Sequence, residues 1–221
     1  MQNREDPFIV PLCEDEIKVV YQDEYILLID KPARLLSLSG KHPLNKDSVH
    51  FRLIKPYPSA TMVHRLDFGT SGIMVVALNK SVNAHLTKQF QSRSVVKHYI
   101  AVLQGHLEQD EGTIELPIAK DEFPLQKICH SSGKAATTHY QVIQRLDNPV
   151  ATKVLFKPLT GRTHQLRIHS REIGHSILGC DLYASEVAFR LSSRLMLHAS
   201  RLEFDHPTSG KTISGYSPCP F

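Results

Sequence analysis

The fold is decided by residues 63–77, which read Val-His-Arg-Leu-Asp-Phe-Gly-Thr-Ser-Gly-Ile-Met-Val-Val-Ala. The apolar second half predicts a buried strand, and the Gly, Thr and Ser before it predict a turn. Asp67 therefore lies at the edge of a core, two residues after Arg65. Two interpretations stay open: Asp67 carries chemistry, or its carboxylate only stabilises the turn by a hydrogen bond to the backbone.

Further strand and helix patterns lie on both sides of this stretch. Strands are predicted at 25–29, 72–78, 99–103, 138–143, 152–156 and 201–204. Helices are predicted at 81–93, capped by Asn79 or Ser81, and at 163–173, ended by Gly174. Many strands in irregular order with few helices predict an α+β fold. We expect a single domain with a mixed, mostly antiparallel β-sheet, flanked by helices and loops.

Composition sets limits on the class of protein. The chain has 221 residues, 41% hydrophobic and 22% charged, which is typical of a globular protein. Lys and Arg number 26 and Asp and Glu 22, a net charge of +4 that suits an anionic partner without identifying one. We expect an N-terminal arm over residues 1–15 and one catalytic domain over residues 16–221.

Several classes of site are absent from the sequence. It contains no phosphate loop, no Gly-x-Gly-x-x-Gly fingerprint and no Gly-x-Ser-x-Gly elbow. The four cysteines are scattered, and His164 and His169 lack the spacing of a zinc motif, so we expect neither a metal nor a cofactor. No apolar segment reaches the ~20 residues that span a bilayer, and we expect a cytoplasmic protein.

Three other segments combine basic, histidine and aromatic residues. They are Lys97-His-Tyr99-Ile-Ala101, Gly161-Arg-Thr-His-Gln-Leu-Arg-Ile-His169 and Arg194-Leu-Met-Leu-His-Ala199. Each has a plain structural alternative: Tyr99 fills the core, the second segment is a solvated basic face, and the third is a core strand. Arg162 at the start of a helix would also make an anion site, for a phosphate or for Asp67.

Together and in this order, the segments resemble the RluA family of RNA pseudouridine synthases. His64-Arg-Leu-Asp67-x-x-Thr70-Ser-Gly72 is similar to the family's central motif, and the other three segments resemble its later motifs. The resemblance extends from about Val19 to the C-terminus. The chain is similar to the short type without an S4 RNA-binding domain, a group that acts on both rRNA and tRNA.

Two loops depart from the family pattern. The usual Lys-Pro-x-Gly reads Lys31-Pro-Ala-Arg34, which loses the glycine. The usual Gly-His-Pro-Ile-x-Gly-Asp reads Gly174-His-Ser-Ile-Leu-Gly-Cys180, so that Asp181 comes one place late. These departures put the local loop shapes in question.

The resemblance implies an isomerase (an intramolecular transferase) that turns uridine into pseudouridine without a cofactor. It assigns Asp67 as the nucleophile, with Arg162 paired to it and Tyr99 stacked on the uracil. A phenol with a pKa near 10 is a weak base at neutral pH, so stacking is favoured over proton removal by Tyr99. Attack on C1′, addition to the ring and loss of the C2′ proton all stay open.

The implied partner is RNA, either rRNA or a tRNA stem-loop. The target uridine must flip out of its stack, and Arg65 is the candidate to fill the vacated place. The predicted RNA-binding residues are His64, Arg65, Thr70, Lys97, His164, Gln165, Arg167 and Leu197. We expect a monomer and no membrane contact. The alternative is a non-catalytic RNA-binding or ribosome-assembly protein that uses the pocket only to hold RNA.

Overall fold

The computed structural model describes residues 9–221. The described chain forms two compact units, and the expectation of one catalytic domain over residues 16–221 stays a prediction. Unit 1 contains residues 9–95 and Arg201–Pro218, and unit 2 contains Val96–Ser200 and Cys219–Phe221. The first eight residues of the predicted arm lie outside the described part of the chain.

Unit 1 is built on antiparallel strands. Its elements are β1 (Lys18–Gln22), β2 (Ile26–Lys31), α1 (Val49–Leu53), β3 (Thr61–Met62), β4 (Ser71–Ala77), α2 (Lys80–Ser92), the second part of β11 (Leu197–Asp205) and β12 (Thr212–Tyr216). β2 pairs with both β1 and β4, β3 pairs with β4, and β12 pairs with β11. All seven residues of β4 are buried, and the apolar run from Ile73 to Ala77 predicts this for most of the strand.

Two contacts show how the sequence shapes unit 1. Asn79 caps α2, because its side chain accepts a hydrogen bond from the Val82 amide at 2.9 Å. In β12, a methyl group added at Gly215 would come within 2.8 Å of Leu28 Cδ1. β12 therefore packs closely against the core formed by β2 and β4.

Residues 9–15 of the predicted arm are held on unit 1 by Arg52. Its guanidinium donates to the carbonyl of Cys13 and, at 2.6 Å, to the carbonyl of Asp15. The same group forms a 2.6 Å ion pair with Asp47. Cys13 is buried, so this part of the arm is packed.

Unit 2 contains a four-stranded antiparallel arrangement and two short helices. Its elements are β5 (Val96–Gln104), β6 (Glu111–Glu115), β7 (Ile118–Lys120), β8 (Gln126–Ile128), β9 (Thr137–Asp147), β10 (Val150–Pro158), α3 (Gln165–Glu172), α4 (Glu186–Arg190) and the start of β11. β10 pairs with β5 and β9, β9 pairs with β6, and β7 forms a hairpin with β8. Leu103, Phe156, Ile168 and Ile177 lie in its apolar core.

The α+β prediction is confirmed, and every predicted strand has a counterpart. α3 begins at Gln165 rather than at residue 163, because His164 takes a left-handed backbone conformation at its N-cap. The predicted stop is present: Gly174, just after α3, has φ +83°.

A close backbone approach in unit 2 makes one glycine irreplaceable. Gly179 has φ +68°, and a Cβ there would lie 1.9 Å from the carbonyl oxygen of Arg194. Gly174 shares the left-handed conformation, with φ +83°, but has nothing within 4 Å of its Cβ position.

We expect Gly179→Ala to lower the free energy of unfolding by about 3 kcal/mol, since it adds a steric clash to backbone strain. Gly174→Ala adds only the strain, and should cost about 1 kcal/mol. Chemical denaturation of both variants measures the difference. Equal losses would contradict the close approach at Gly179.

Candidate active site

Asp67 lies in unit 1, on the loop that joins β3 to β4. The Thr70 amide donates to the Asp67 carbonyl at 3.1 Å, which closes the predicted turn. Asp67 is half-buried, and the buried strand β4 begins four residues later. The turn thus places a carboxylate where a rigid strand meets an irregular loop.

The residues on both sides of Asp67 are held by buried polar groups. Ser37 Oγ donates to the Leu66 carbonyl at 2.7 Å and accepts from the Leu66 amide at 3.1 Å. Lys31 is fully buried, and its Nζ donates to the carbonyl oxygens of Pro32 at 2.8 Å, Leu35 at 2.7 Å and Phe68 at 3.4 Å. These bonds fix the backbone immediately before and after the carboxylate.

The loop that lacks the family's glycine keeps a glycine-like backbone. Arg34, at the position of that glycine, has φ +60°. A non-glycine residue in this left-handed conformation costs about 1–2 kcal/mol. The chain bears this strain, and the bonds from Lys31 to Pro32 and Leu35 hold the loop around it.

The other predicted residues of this loop differ in exposure. His64 Nε2 accepts from the Val75 amide at 3.1 Å, and its ring stacks on Phe90 with centroids 4.7 Å apart. Arg65 is exposed, whereas Thr70 is buried. Arg65 is thus the residue of this loop that presents a cation to solvent, and His64 shapes the loop.

Lys97 and Tyr99 lie on β5 in unit 2. They are two residues apart and therefore share a face of the strand. Tyr99 pairs with Phe156 of β10 and is partly buried against the core of unit 2. Lys97 Nζ donates to the Thr160 carbonyl at 3.3 Å. β5 thus brings Lys97 to the loop that precedes α3.

Gln165, the first residue of α3, organises that loop. It is buried, and its Oε1 accepts from Thr160 Oγ1 at 2.7 Å and from the Arg162 amide at 3.0 Å. Its Nε2 donates to the Thr137 carbonyl at 3.1 Å and to Thr138 Oγ1 at 2.9 Å. One side chain therefore ties the loop to β9.

The hydrogen-bond chain continues to His169. Thr138 Oγ1 lies 3.0 Å from His169 Nδ1, and His169 Nε2 lies 3.0 Å from the Leu116 carbonyl. A carbonyl only accepts, so Nε2 carries the hydrogen and Nδ1 accepts from Thr138. Burial lowers the pKa of His169, which favours this neutral form.

Arg162 and Arg167 have different surroundings. Arg162 is half-buried, and its Nε donates to the Ala135 carbonyl at 3.1 Å. Arg167 is buried, and its guanidinium contacts Cys180 Sγ at 3.3 Å and forms an ion pair with Asp181. Asp181, which comes one place later than the aspartate of the family pattern, thus pairs with Arg167. Cys180, which stands at the usual place of that aspartate, contacts the same guanidinium.

The predicted site residues fall in both units. His64, Arg65, Asp67 and Thr70 lie in unit 1, and Lys97, Tyr99, Arg162, His164, Gln165, Arg167 and Leu197 lie in unit 2. Within unit 2 the structure brings together Lys97 and the loop of Arg162, whereas Leu197 is a buried residue of β11. The pairing of Arg162 with Asp67 and the stacking of Tyr99 on uracil stay predictions.

Sequence reasoning missed three residues that hold the site loops: Lys31, Ser37 and Tyr183. Lys31 stands before a proline at the end of an apolar strand, a signal that could have marked a buried cation. The contacts of Ser37 and Tyr183 join residues that are distant in sequence, so no local pattern shows them. Among residues 9–221, no group of three His, Cys, Asp or Glu side chains could hold a metal ion. No helix in that range is long and apolar enough to cross a membrane.

The chain resembles known proteins along most of its length. The model of a family described as RNA pseudouridylate synthase matches residues 25–172. The dual-specificity RNA pseudouridine synthase RluA of Yersinia pestis is 49% identical over 194 residues, which cover 87% of this chain and 94% of the relative. The enzyme of that name from Escherichia coli K12 is 42% identical over 213 residues, covering 96% and 97%.

Solved structures share the fold. The human protein RNA Pseudouridylate Synthase Domain Containing 1 is 32% identical with a TM-score of 0.78, covering 96% of this chain and 86% of its own. Human RNA Pseudouridylate Synthase Domain Containing 4 is 23% identical with a TM-score of 0.71, covering 91% and 88%. The second likeness supports the fold alone.

The Gln165 network predicts a pH-dependent variant. Gln165→Ala leaves buried polar partners unsatisfied and should lower the free energy of unfolding by about 2–4 kcal/mol. Gln165→Glu keeps the size, but only a protonated carboxyl can donate to the Thr137 carbonyl. Its pKa should therefore rise on folding, and stability is lost as pH increases through the raised value.

Denaturation at pH 5 and pH 8 measures this effect. The loss in Gln165→Glu relative to the unaltered chain should be larger at pH 8. Identical losses at the two pH values would show that Gln165 Nε2 makes no such donation.

Proposed function

The chain belongs to the RNA pseudouridylate synthase family, and we propose that it isomerises specific uridines in large-subunit (23S) rRNA, in tRNA anticodon stem-loops, or in both. The relatives named for dual specificity support more than one RNA substrate, and the choice of these two RNAs follows from the resemblance of the sequence motifs. The proposal rests above all on the intact segment 64–72, which carries Asp67 on a loop held at Leu66 and Phe68. We further propose that the protein acts as a monomer in the cytoplasm.

The reaction exchanges one bond of uridine for another. The bond between N1 and C1′ breaks, the uracil turns, and C5 forms the new bond to C1′. The C5 hydrogen leaves as a proton and N1 takes up a proton, so the product is an isomer and no electrons are gained or lost. The chain needs only a nucleophile, a proton acceptor and a pocket that retains the detached base.

In this proposal Asp67 is the nucleophile and Arg162 holds it charged. A charge-assisted hydrogen bond between a guanidinium and a carboxylate stabilises the ionised form and orients it. Arg162 is anchored for this role, since its amide is bound by Gln165 and its Nε by Ala135. Tyr99, fixed on β5, stacks on the uracil.

Arg65 is the residue we assign to base flipping. Extruding a stacked base costs a few kcal/mol, and a planar guanidinium recovers part of this cost by stacking on the neighbouring bases. Arg65 is exposed and lies two residues from Asp67, which suits this role.

The remaining predicted RNA-binding residues divide by burial. Four of them are buried, and we propose that they hold the site loops in place without contacting the RNA: Thr70, Gln165, Arg167 and Leu197. His64, Lys97 and His164 are partly exposed, and we propose that they contact the RNA around the extruded uridine.

The decisive experiment is tritium release from rRNA and tRNA transcripts labelled at C5 of uridine. Asp67→Asn keeps the shape of the side chain and removes its charge, so we expect release to fall by at least about a thousandfold with an unchanged melting temperature. Asp147→Asn is the matched control, because Asp147 is almost fully exposed, and it should keep full activity.

An unaltered chain that releases no more tritium than Asp67→Asn on any of these RNAs would refute the proposal. In cells, the non-catalytic RNA-binding or ribosome-assembly alternative predicts that Asp67→Asn preserves function while charge reversal at Lys or Arg abolishes it. Maps of pseudouridine in total RNA, with and without the protein, identify the modified sites.

A further inference from the structure

Tyr183 is a buried residue of unit 2 that the proposed chemistry does not use. Its hydroxyl oxygen lies 3.0 Å from the Gln126 amide nitrogen and 2.7 Å from His164 Nδ1. Gln126 begins β8, whereas His164 is the N-cap of α3. The hydroxyl thus bridges two elements, one of which carries the loop of Arg162.

Two hydrogen bonds hold the Tyr183 oxygen in place. The Gln126 backbone N–H donates to the Tyr183 oxygen, and Tyr183 and His164 Nδ1 share a 2.7 Å hydrogen bond in which either group can be the donor. Tyr183 therefore fixes the orientation of the His164 ring.

The ring of Tyr183 is itself held by cations of α3. The guanidinium carbons of Arg167 and Arg171 lie 5.3 Å and 5.5 Å from its centroid. Arg167 is fixed in turn by its ion pair with Asp181. These contacts hold the Tyr183 ring so that its hydroxyl reaches His164.

His164 is well placed to transmit this constraint to Arg162. Its backbone is left-handed, with φ 56° and ψ 16°, and its side chain makes no capping hydrogen bond. It lies within the turn that the Gln165 amide closes on the Arg162 carbonyl at 3.1 Å. A change in the His164 side chain therefore acts on the turn from which the Arg162 guanidinium projects.

We propose that Tyr183 is a positioning residue for the isomerisation, acting through His164 on the turn that carries Arg162. This inference rests on the proposed function. Tyr183 itself touches neither the uridine nor the reacting atoms in this scheme.

Tyr183→Phe tests the proposal, because it removes the hydroxyl and keeps the ring beside the guanidinium groups of Arg167 and Arg171. We expect kcat for tritium release to fall about tenfold, since a small misplacement of a positioned group slows the reaction strongly. KM for the RNA should stay within about twofold, because Tyr183 itself makes no RNA contact in this scheme and His164 is only one of the proposed RNA contacts. Tyr216→Phe is the matched control: Tyr216 is 62% exposed on β12, and its loss of a hydroxyl should leave kcat unchanged.

A double-mutant cycle shows whether the effect passes through His164. With His164→Ala present, adding Tyr183→Phe should cause no further fall in kcat. Thermal melts of all variants separate lost activity from lost folded protein.

Four outcomes would overturn this role. In the first, Tyr183→Phe is as active as the unaltered chain. In the second, it slows the reaction equally with and without His164, and in the third kcat falls only in proportion to folded protein. In the fourth, the unaltered chain releases no tritium, which refutes the proposed function as well and so differs from the first three.

Discussion

A buried ammonium group organises the loop around Asp67. Lys31 has no exposed surface, and a charge in such a place is tolerated only when it is surrounded by acceptors. The carbonyls of Pro32, Leu35 and Phe68 provide them, and these three residues belong to two loops far apart in sequence. The hydrogen bonds of this one cation thus connect the two loops, and they hold the backbone next to Asp67 in place.

The loop before α3 follows a similar logic with neutral groups. Gln165, Thr138 and His169 form a continuous chain in which each donor has an acceptor. Buried polar groups without partners are costly, so such a chain admits one arrangement of its members. Both loops that carry predicted site residues are therefore fixed by buried polar contacts more than by regular secondary structure.

The sequence predicted the fold class and the strands that form the cores. The short apolar runs of β2 and β4 predict buried strands, because such residues are stable only when they are removed from water. The sequence did not predict β1, whose five residues are all exposed, or the short hairpin of β7 and β8. The motif residues could be located by resemblance, but the burial of Arg167 and Gln165 could not. Their partners, Asp181 and Thr138, are side chains brought close only by the folded chain.

The path of the chain through its two units has a consequence for biosynthesis. Unit 2 is almost contiguous, whereas unit 1 is interrupted after Val95 and completed only by Arg201–Pro218. At about 5–20 residues per second, the roughly 120 residues between Val95 and Pro218 take on the order of 6–25 s to synthesise. During that interval the apolar surface that β12 covers at Leu28 and Ile73 has no strand to shield it. The nascent protein thus passes through a stage in which its amino-terminal half is vulnerable to aggregation and suited to protection by a chaperone.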